Sequence, residues 1–189
     1  MLKQKKITIA AVVLLAAVSS LIIFALANAK TPIMSDYPYY NSMSQICERA
    51  DLIIRGEVVS SHNVKNLKAD SSSGTDYEYT ISKVKITVVV KGDAEVGDII
   101  DIKQRGDYKH SPDSYLDAND GYLKDGQDGI MFLCTYGNEV PASFVNPSQG
   151  FVEIVDGKLC LSEQDVIFTT EQTKLEEVEI AVEEIKKYI

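Results

Sequence analysis

The stretch YEYTISKVKITVVV, Tyr77 to Val90, is the longest strand-like run in the chain, and its alternation changes phase part-way. Tyr77, Tyr79 and Ile81 fall on odd positions, whereas Val84, Ile86, Val88 and Val90 fall on even ones. Successive side chains of a strand point to opposite faces, so a slip of one residue moves a whole apolar set to the wrong side. The phase change therefore predicts a β-bulge near Ser82–Lys83. Bulged, bent strands belong to small closed antiparallel barrels.

Working outward, the polar segment Lys65 to Asp76 reads as a hairpin loop, and before it Leu52 to Ser60 reads as a strand interrupted by Gly56. A glycine inside a strand marks a bulge or a sharp bend. Downstream, Lys91-Gly92-Asp93 and Val96-Gly97-Asp98 bracket a turn before a strand over Asp98 to Gln104. Gly106 to Gly129 is a long polar excursion, with His110 inside it. Ile130 to Tyr136 is a strand with apolar residues on both faces. Asn138 to Gly150, with Pro141 and Pro147, is a turn-rich link. Asp156-Gly157 between apolar runs predicts a two-residue hairpin over Phe151–Leu161, because a type I′ turn needs positive φ at both central positions. That hairpin pairs Ile154 with Leu159 and leaves Cys160 on the wetter face opposite Glu153.

Two helices flank the strands. Ser42 and Gln45 are spaced as a capping box ahead of Met43, Ile46, Cys47 and Ala50, which share one face. Thr173 and Glu176 form a second box, with Leu175, Val178, Val182, Ile185 and Ile189 as the apolar stripe of an amphipathic helix to the C-terminus. The expected fold is mainly β: a small, bent, antiparallel Greek-key barrel with a short N-terminal helix and a C-terminal amphipathic helix.

The first 29 residues carry an address. Lys3, Lys5 and Lys6 precede an apolar run from Ile7 to Leu26, and alanines stand at 25, 27 and 29. A basic head, an apolar middle and small residues at alternate positions make a signal peptide cut after Ala29, or a membrane anchor through residues 7–26 if it is left uncut. Residues 30–41 read as a linker with Tyr37, Tyr39 and Tyr40, and residues 42–189 as a single domain. The expected location is outside the cell or on its surface. The leader holds three of the 19 basic residues and none of the 28 acidic ones, so the remainder carries a formal charge of −12. That balance argues against nucleic acid and anionic lipid as partners. The three cysteines, Cys47, Cys134 and Cys160, are too few for a disulfide framework.

The run ICERADLIIRGEV, Ile46 to Val58, resembles the opening of OB-fold, netrin-like domains, in which a helix leads through "AD-apolar-apolar-apolar-x-G-x-V" into the first barrel strand. Val88-Val89-Val90-Lys91-Gly92-Asp93 resembles the "apolar-x-x-KG" end of a later strand. The pattern, which covers roughly Ile46 to Gln104 and extends to Gly126–Leu133, is also similar to small exported domains of Gram-positive bacteria. The resemblance implies a fold. Proteinase inhibition in such families relies in some members on an N-terminal cysteine, and here Lys30 would begin the mature chain while Cys47 sits in the first helix.

Searching for chemistry yields little. There is no G-x-S-x-G, His62 and His110 both lie in polar sequence, and no Cys/His spacing suggests zinc. Asp113, Asp117, Asn119, Asp120, Asp125 and Asp128 make an oxygen-rich loop, with Asp117, Asn119, Asp120, Asp125 and Asp128 as the candidate calcium ligands. The register is not that of an EF-hand, since position 6 from Asp117 is Tyr122 and position 12 is Asp128. The expectation is a non-enzymatic exported domain without a cofactor, binding a protein, peptide or envelope component through its barrel face and the loops Lys65–Asp76 and Asp107–Gly129. A secreted proteinase inhibitor is the alternative, and a small hydrolase the third reading.

Overall fold

The strand that opens the sheet begins where the first helix ends, and a small set of polar contacts fixes that junction. The computed structural model describes residues 37–68, 76–108, 121–137, 140–161, 166–168 and 177–189. The leader and the Lys30 terminus therefore lie outside the described residues. Helix α1 spans Met43–Arg49. Ser42 Oγ accepts from the Gln45 N–H at 3.4 Å, and Gln45 Oε1 accepts from the Asn41 N–H at 2.8 Å, so the box closes one residue further out than a standard one. Met43, Ile46, Cys47 and Ala50 are buried as the spacing requires.

Seven strands follow: β1 Leu52–Lys68, β2 Asp76–Lys91, β3 Ile99–Arg105, β4 Asp128–Cys134, β5 Ser143–Phe144, β6 Phe151–Val155 and β7 Lys158–Leu159. A 3₁₀ turn covers Val166–Phe168, and helix α2 covers Val178–Lys186. The strands form one antiparallel sheet in the order β3-β2-β1-β4-β6-β7, with β5 on β4. Its ladders are open rather than closed into a ring. Ala142 makes a separate parallel bridge to β3, in which the Lys103 N–H donates to Ala142 O at 2.8 Å and the Ala142 N–H to Asp101 O at 2.9 Å.

Strand β2 carries no bulge at Ser82–Lys83. It pairs with β3 in unbroken register from Tyr79↔Arg105 to Lys85↔Ile99. The irregularities opposite that point belong to β1, between Val58 and Ser60 and between Ser60 and Asn63, where β1 spends an extra residue each time. From Thr80 to Ile86 the even face of β2 stays inward, as Thr80, Ser82, Val84 and Ile86, all essentially inaccessible. Beyond Ile86 the register with β1 slips on β2, and Val89 packs on the core that holds Val84 and Ile86. The apolar phase change arises because two inward positions, Thr80 and Ser82, are polar. Tyr77, Tyr79 and Ile81 form a second, outward set. Strand β1 also runs to Lys68, past the expected end at Ser60, so Lys65–Lys68 are strand rather than loop. β3 reaches only to Tyr79, and beyond it β1 and β2 form a two-stranded ribbon that needs no apolar alternation.

Gly56 does mark a register shift, next to Arg55. It pairs directly with Gly129 of β4, so two glycines oppose each other across that ladder. In the hairpin, Asp156 (φ 52°) and Gly157 (φ 78°) take the positive angles of a type I′ turn, and Ile154 pairs with Leu159.

Strand β4 is buried on both faces and divides two cores. Ile130, Phe132 and Cys134 join Ile46, Cys47, Phe168, Ala181 and Ile185 in a core roofed by the helices. Met131 and Leu133 join Ile54, Val58, Val84, Ile86, Ile102, Phe144 and Phe151 in a core made wholly of strands and their connections. Each fully buried aliphatic or aromatic side chain contributes roughly 1.5–3 kcal/mol of hydrophobic stabilisation. The C-terminal helix is shorter than its stripe. Glu177 is extended and bridges Lys158, so the helix begins at Val178 rather than Thr173, and the Thr173–Glu176 box lies outside the described residues. Val178, Ala181 and Ile185 are buried, whereas Ile189 is 55% exposed. Among the described residues no helix is long and apolar enough to cross a membrane.

Candidate functional site

The outward face of β2 and β3 gathers the unusual side chains of the described surface. Because the β2–β3 register is unbroken, odd residues of both strands share that face: Tyr77, Tyr79, Ile81, Lys83 and Lys85 from β2, and Asp101, Lys103 and Arg105 from β3. Ile81 is only 1% exposed and belongs to neither core; its cross-strand neighbour is Lys103. The face therefore has a small packed centre of its own.

Aromatic rings hold the cations here. Lys103 Nζ lies 4.0 Å from the centroid of Tyr136 and 5.7 Å from that of Tyr79, and the Arg105 guanidinium lies 4.4 Å from that of Tyr77. Each such contact contributes about 0.5–2 kcal/mol, depending on how dry it is. Burial pushes the Lys103 ammonium below the usual lysine range, and burial raises Tyr79, partly offset by Arg105. No carboxylate pairs with Lys103 among the described residues. Asp101, by contrast, is engaged by Lys83 at 2.8 Å and Lys65 at 3.8 Å. Tyr136 also shares a 2.7 Å hydrogen bond with Ser143 Oγ and borders an apolar cleft of about 350 Å³ lined by Leu52, Ile100, Val140, Pro141 and Ala142.

No protein-family model matches the chain, and no curated protein matches it. The meaning of this face therefore comes from its own geometry.

The residues singled out as calcium ligands are not brought together among the described residues. Asp117, Asn119 and Asp120 lie outside them, together with Asp113. Asp128 is in β4 and takes three hydrogen bonds from Arg55, two from Nε at 3.1 Å and one from Nη2 at 2.6 Å. Asp125 is exposed in the turn before β4. His110 lies outside the described residues, as does the side chain of His62, whose backbone belongs to β1 rather than to a loop. Within the two loops expected to bind, 69–75 and 109–120 lie outside the described residues.

The motif residues of the resemblance are structural. Lys91 Nζ donates to Cys47 O and Ala50 O, both at 2.7 Å, and so caps the C-terminal end of α1. Gly92 has φ +100°, and a Cβ there would stand 2.6 Å from Asp51 O. Asp51 Oδ2 accepts from the Thr135 N–H at 3.0 Å, tying the helix end to β4.

The thiols differ sharply in access. Cys47 and Cys134 are buried and Cys160 is exposed, and none is bridged. Burial pushes Cys47 up to about 11 and Cys134 in the same direction. Thiolate is the reactive form. At pH 8 a thiol reagent should label one cysteine per folded chain, Cys160, and all three after denaturation; rapid native labelling of Cys47 would contradict this packing.

Nothing in composition marked Lys103, Arg105 or Tyr136 as a group. The available signal was positional: Tyr77, Tyr79, Lys83 and Lys85 share odd parity in β2, and Lys103 and Arg105 share it in β3.

Proposed function

We propose that the chain is an exported, non-enzymatic binding domain built on an OB-type barrel, and that it meets its ligand on the outward face of β2 and β3. The observation that carries the reading is the set of cations held by tyrosine rings on an open strand face. Binding residues displayed on a rigid sheet are pre-organised, so little ordering cost is left for the moment of binding. Two features support a curled barrel. The second core contains no helix residue, and a sheet buries a face on itself only by curling. Ala142 also reaches β3 by a parallel two-hydrogen-bond bridge, on the side where a barrel would close.

Cys47 and Cys134 are buried, and burial raises both thiols, so neither is poised as a nucleophile. The inhibitor alternative concerns the N-terminal segment, of which residues 37–41 are described. Gln149 clasps Tyr40, its Oε1 accepting from the Tyr40 N–H and its Nε2 donating to Tyr40 O, both at 2.8 Å, and Asn146 Nδ2 donates to Pro38 O at 2.9 Å. Residues 37–41 are thereby held against the domain.

Export itself rests on the leader sequence. The test is retention on isolated envelopes of the producing cell. The combined variant Lys103→Ala, Tyr136→Ala should lose roughly tenfold or more in binding, the size expected when central contacts of an interface are removed. Unchanged retention of this variant, with its fold intact by circular dichroism, would eliminate the face as the contact.

A further inference from the structure

The outward face of β2 and β3 runs against the charge of the whole chain. The protein has a formal charge of −9, yet the described residues of this face include Lys83, Lys85, Lys103 and Arg105, with Asp101 among them. Lys65 of β1 adds to it beside Tyr79, and Glu57 stands opposite Lys85 at the far end. From Tyr77 to Lys85 the strand extends roughly 27 Å at the usual rise per residue, a length that suits a chain-like ligand better than a small molecule.

The way the cations are held narrows the chemistry. A carboxylate partner would fix a lysine and neutralise it together. A tyrosine ring fixes the ammonium through its quadrupole and leaves the net charge in place. Lys103, set over Tyr136 and near Tyr79, is held in this second way. The same contacts occupy the ring faces of Tyr136 and Tyr77, which sequence-tolerant nucleic-acid binders leave open for base stacking. Neutral sugars also need open aromatic faces. What the surface offers is fixed positive charge on a narrow strip. The repulsion of the acidic remainder is screened beyond about 8–10 Å at physiological ionic strength, so the local strip governs contact.

We propose that this face binds a linear polyanion with repeating phosphate or carboxylate groups and no aromatic bases, Lys103 being its central cation. The inference rests on the reading of the face as the binding surface.

The test is titration of the full chain with four polymers: polyphosphate, polygalacturonate, neutral dextran and oligothymidylate. Binding is expected for polyphosphate, polygalacturonate or both, the two arms separating phosphate from carboxylate. It should be lost by 0.5 M NaCl, as multiple ionic contacts require. Lys103→Ala should weaken it about tenfold and Lys103→Arg much less. Lys158→Ala, which removes a cation paired with Glu177 away from the face, should change it less than twofold. Dextran or oligothymidylate bound as tightly as the polyanions would overturn the inference, and so would affinity indifferent to salt. Should Lys103→Ala fail to fold, the salt dependence and polymer ranking of the unaltered chain still decide. If envelopes retain the chain through Tyr136 while neither polyanion binds, the polyanion inference falls and the binding reading stands. If the face variants alter neither measurement, both fall.

Discussion

Gly129→Val is expected to lower stability by about 3 kcal/mol or more, a large share of the 5–15 kcal/mol typical of a domain. Gly129 is flanked on both sides, by Gly56 of β1 and Glu153 of β6. A Cβ at this position would stand 2.5 Å from Val152 O and would run into the Phe151 ring. A side chain can rotate away from such a clash, but a strand carbonyl cannot without opening the Ile130↔Val152 and Met131↔Phe151 pairs beside it. The usual overpacking cost of 1–3 kcal/mol is therefore a floor. The gain from a stiffer unfolded chain, about 0.4–1 kcal/mol, does not offset it. With a urea slope of about 1–3 kcal/mol/M, the midpoint should fall by roughly 1–3 M. Gly56→Ala is the control. Its closest contact is Val84 Cγ1, a side-chain atom at 2.5 Å that can move, so its cost should be smaller. Equal midpoints for Gly129→Val and the unaltered chain would mean that β4 and β6 do not pack as described.

Lys91→Met should cost about 2–3 kcal/mol. The methionine keeps the apolar stem and removes only the ammonium that caps α1. Hydrogen bonds to a charged group contribute about 1.5–3 kcal/mol each, and stranded carbonyls at a packed helix end lose more than the bond itself. The effect should be local as well as global. Cys47, whose carbonyl is one of the two acceptors, is fully buried under the same helix. Its labelling in the native state should therefore become faster in Lys91→Met while Cys134 stays protected. A loss of stability with both thiols equally exposed would point to general unfolding and against a capping role. Arginine can also donate to two carbonyls, but its planar guanidinium is larger than the ammonium that sits 2.7 Å from both, so Lys91→Arg should recover only part of the loss.

What the sequence revealed depended on whether local chemistry decided the outcome. The hairpin at Asp156-Gly157 and the cap at Ser42 were legible because turn and cap residues act over two or three positions. The double burial of β4 was legible because Ile130 to Leu133 has no polar side to offer water. The β2 phase change misled because parity records only apolar side chains. Thr80 and Ser82 occupy inward positions as polar groups, and the extra residues opposite Ser82–Lys83 sit on β1. The C-terminal helix was overextended because Leu175 fits the stripe, whereas the extended backbone at Glu177 is set by its bridge to Lys158 in a distant hairpin. The cation face was visible only in fragments, because Lys103 and Tyr136 are 33 positions apart and meet through β3 and the end of β4.

Thr80 and Gln104, cross-strand partners inside the sheet, have a wider consequence. Thr80 Oγ1 donates to Gly106 O at 2.9 Å and accepts from the Tyr108 N–H at 3.1 Å; Gln104 donates to Gly121 O at 3.2 Å and accepts from the Leu123 N–H at 2.8 Å. The two buried polar side chains thus grip the chain on each side of the segment between Tyr108 and Gly121. Once both ends are gripped, doubling the length of that segment costs only about 0.6 kcal/mol in closure entropy. The points where that segment leaves and rejoins the sheet are thus set by Thr80 and Gln104, whatever length is inserted between them. For an engineer the segment is a ready insertion port.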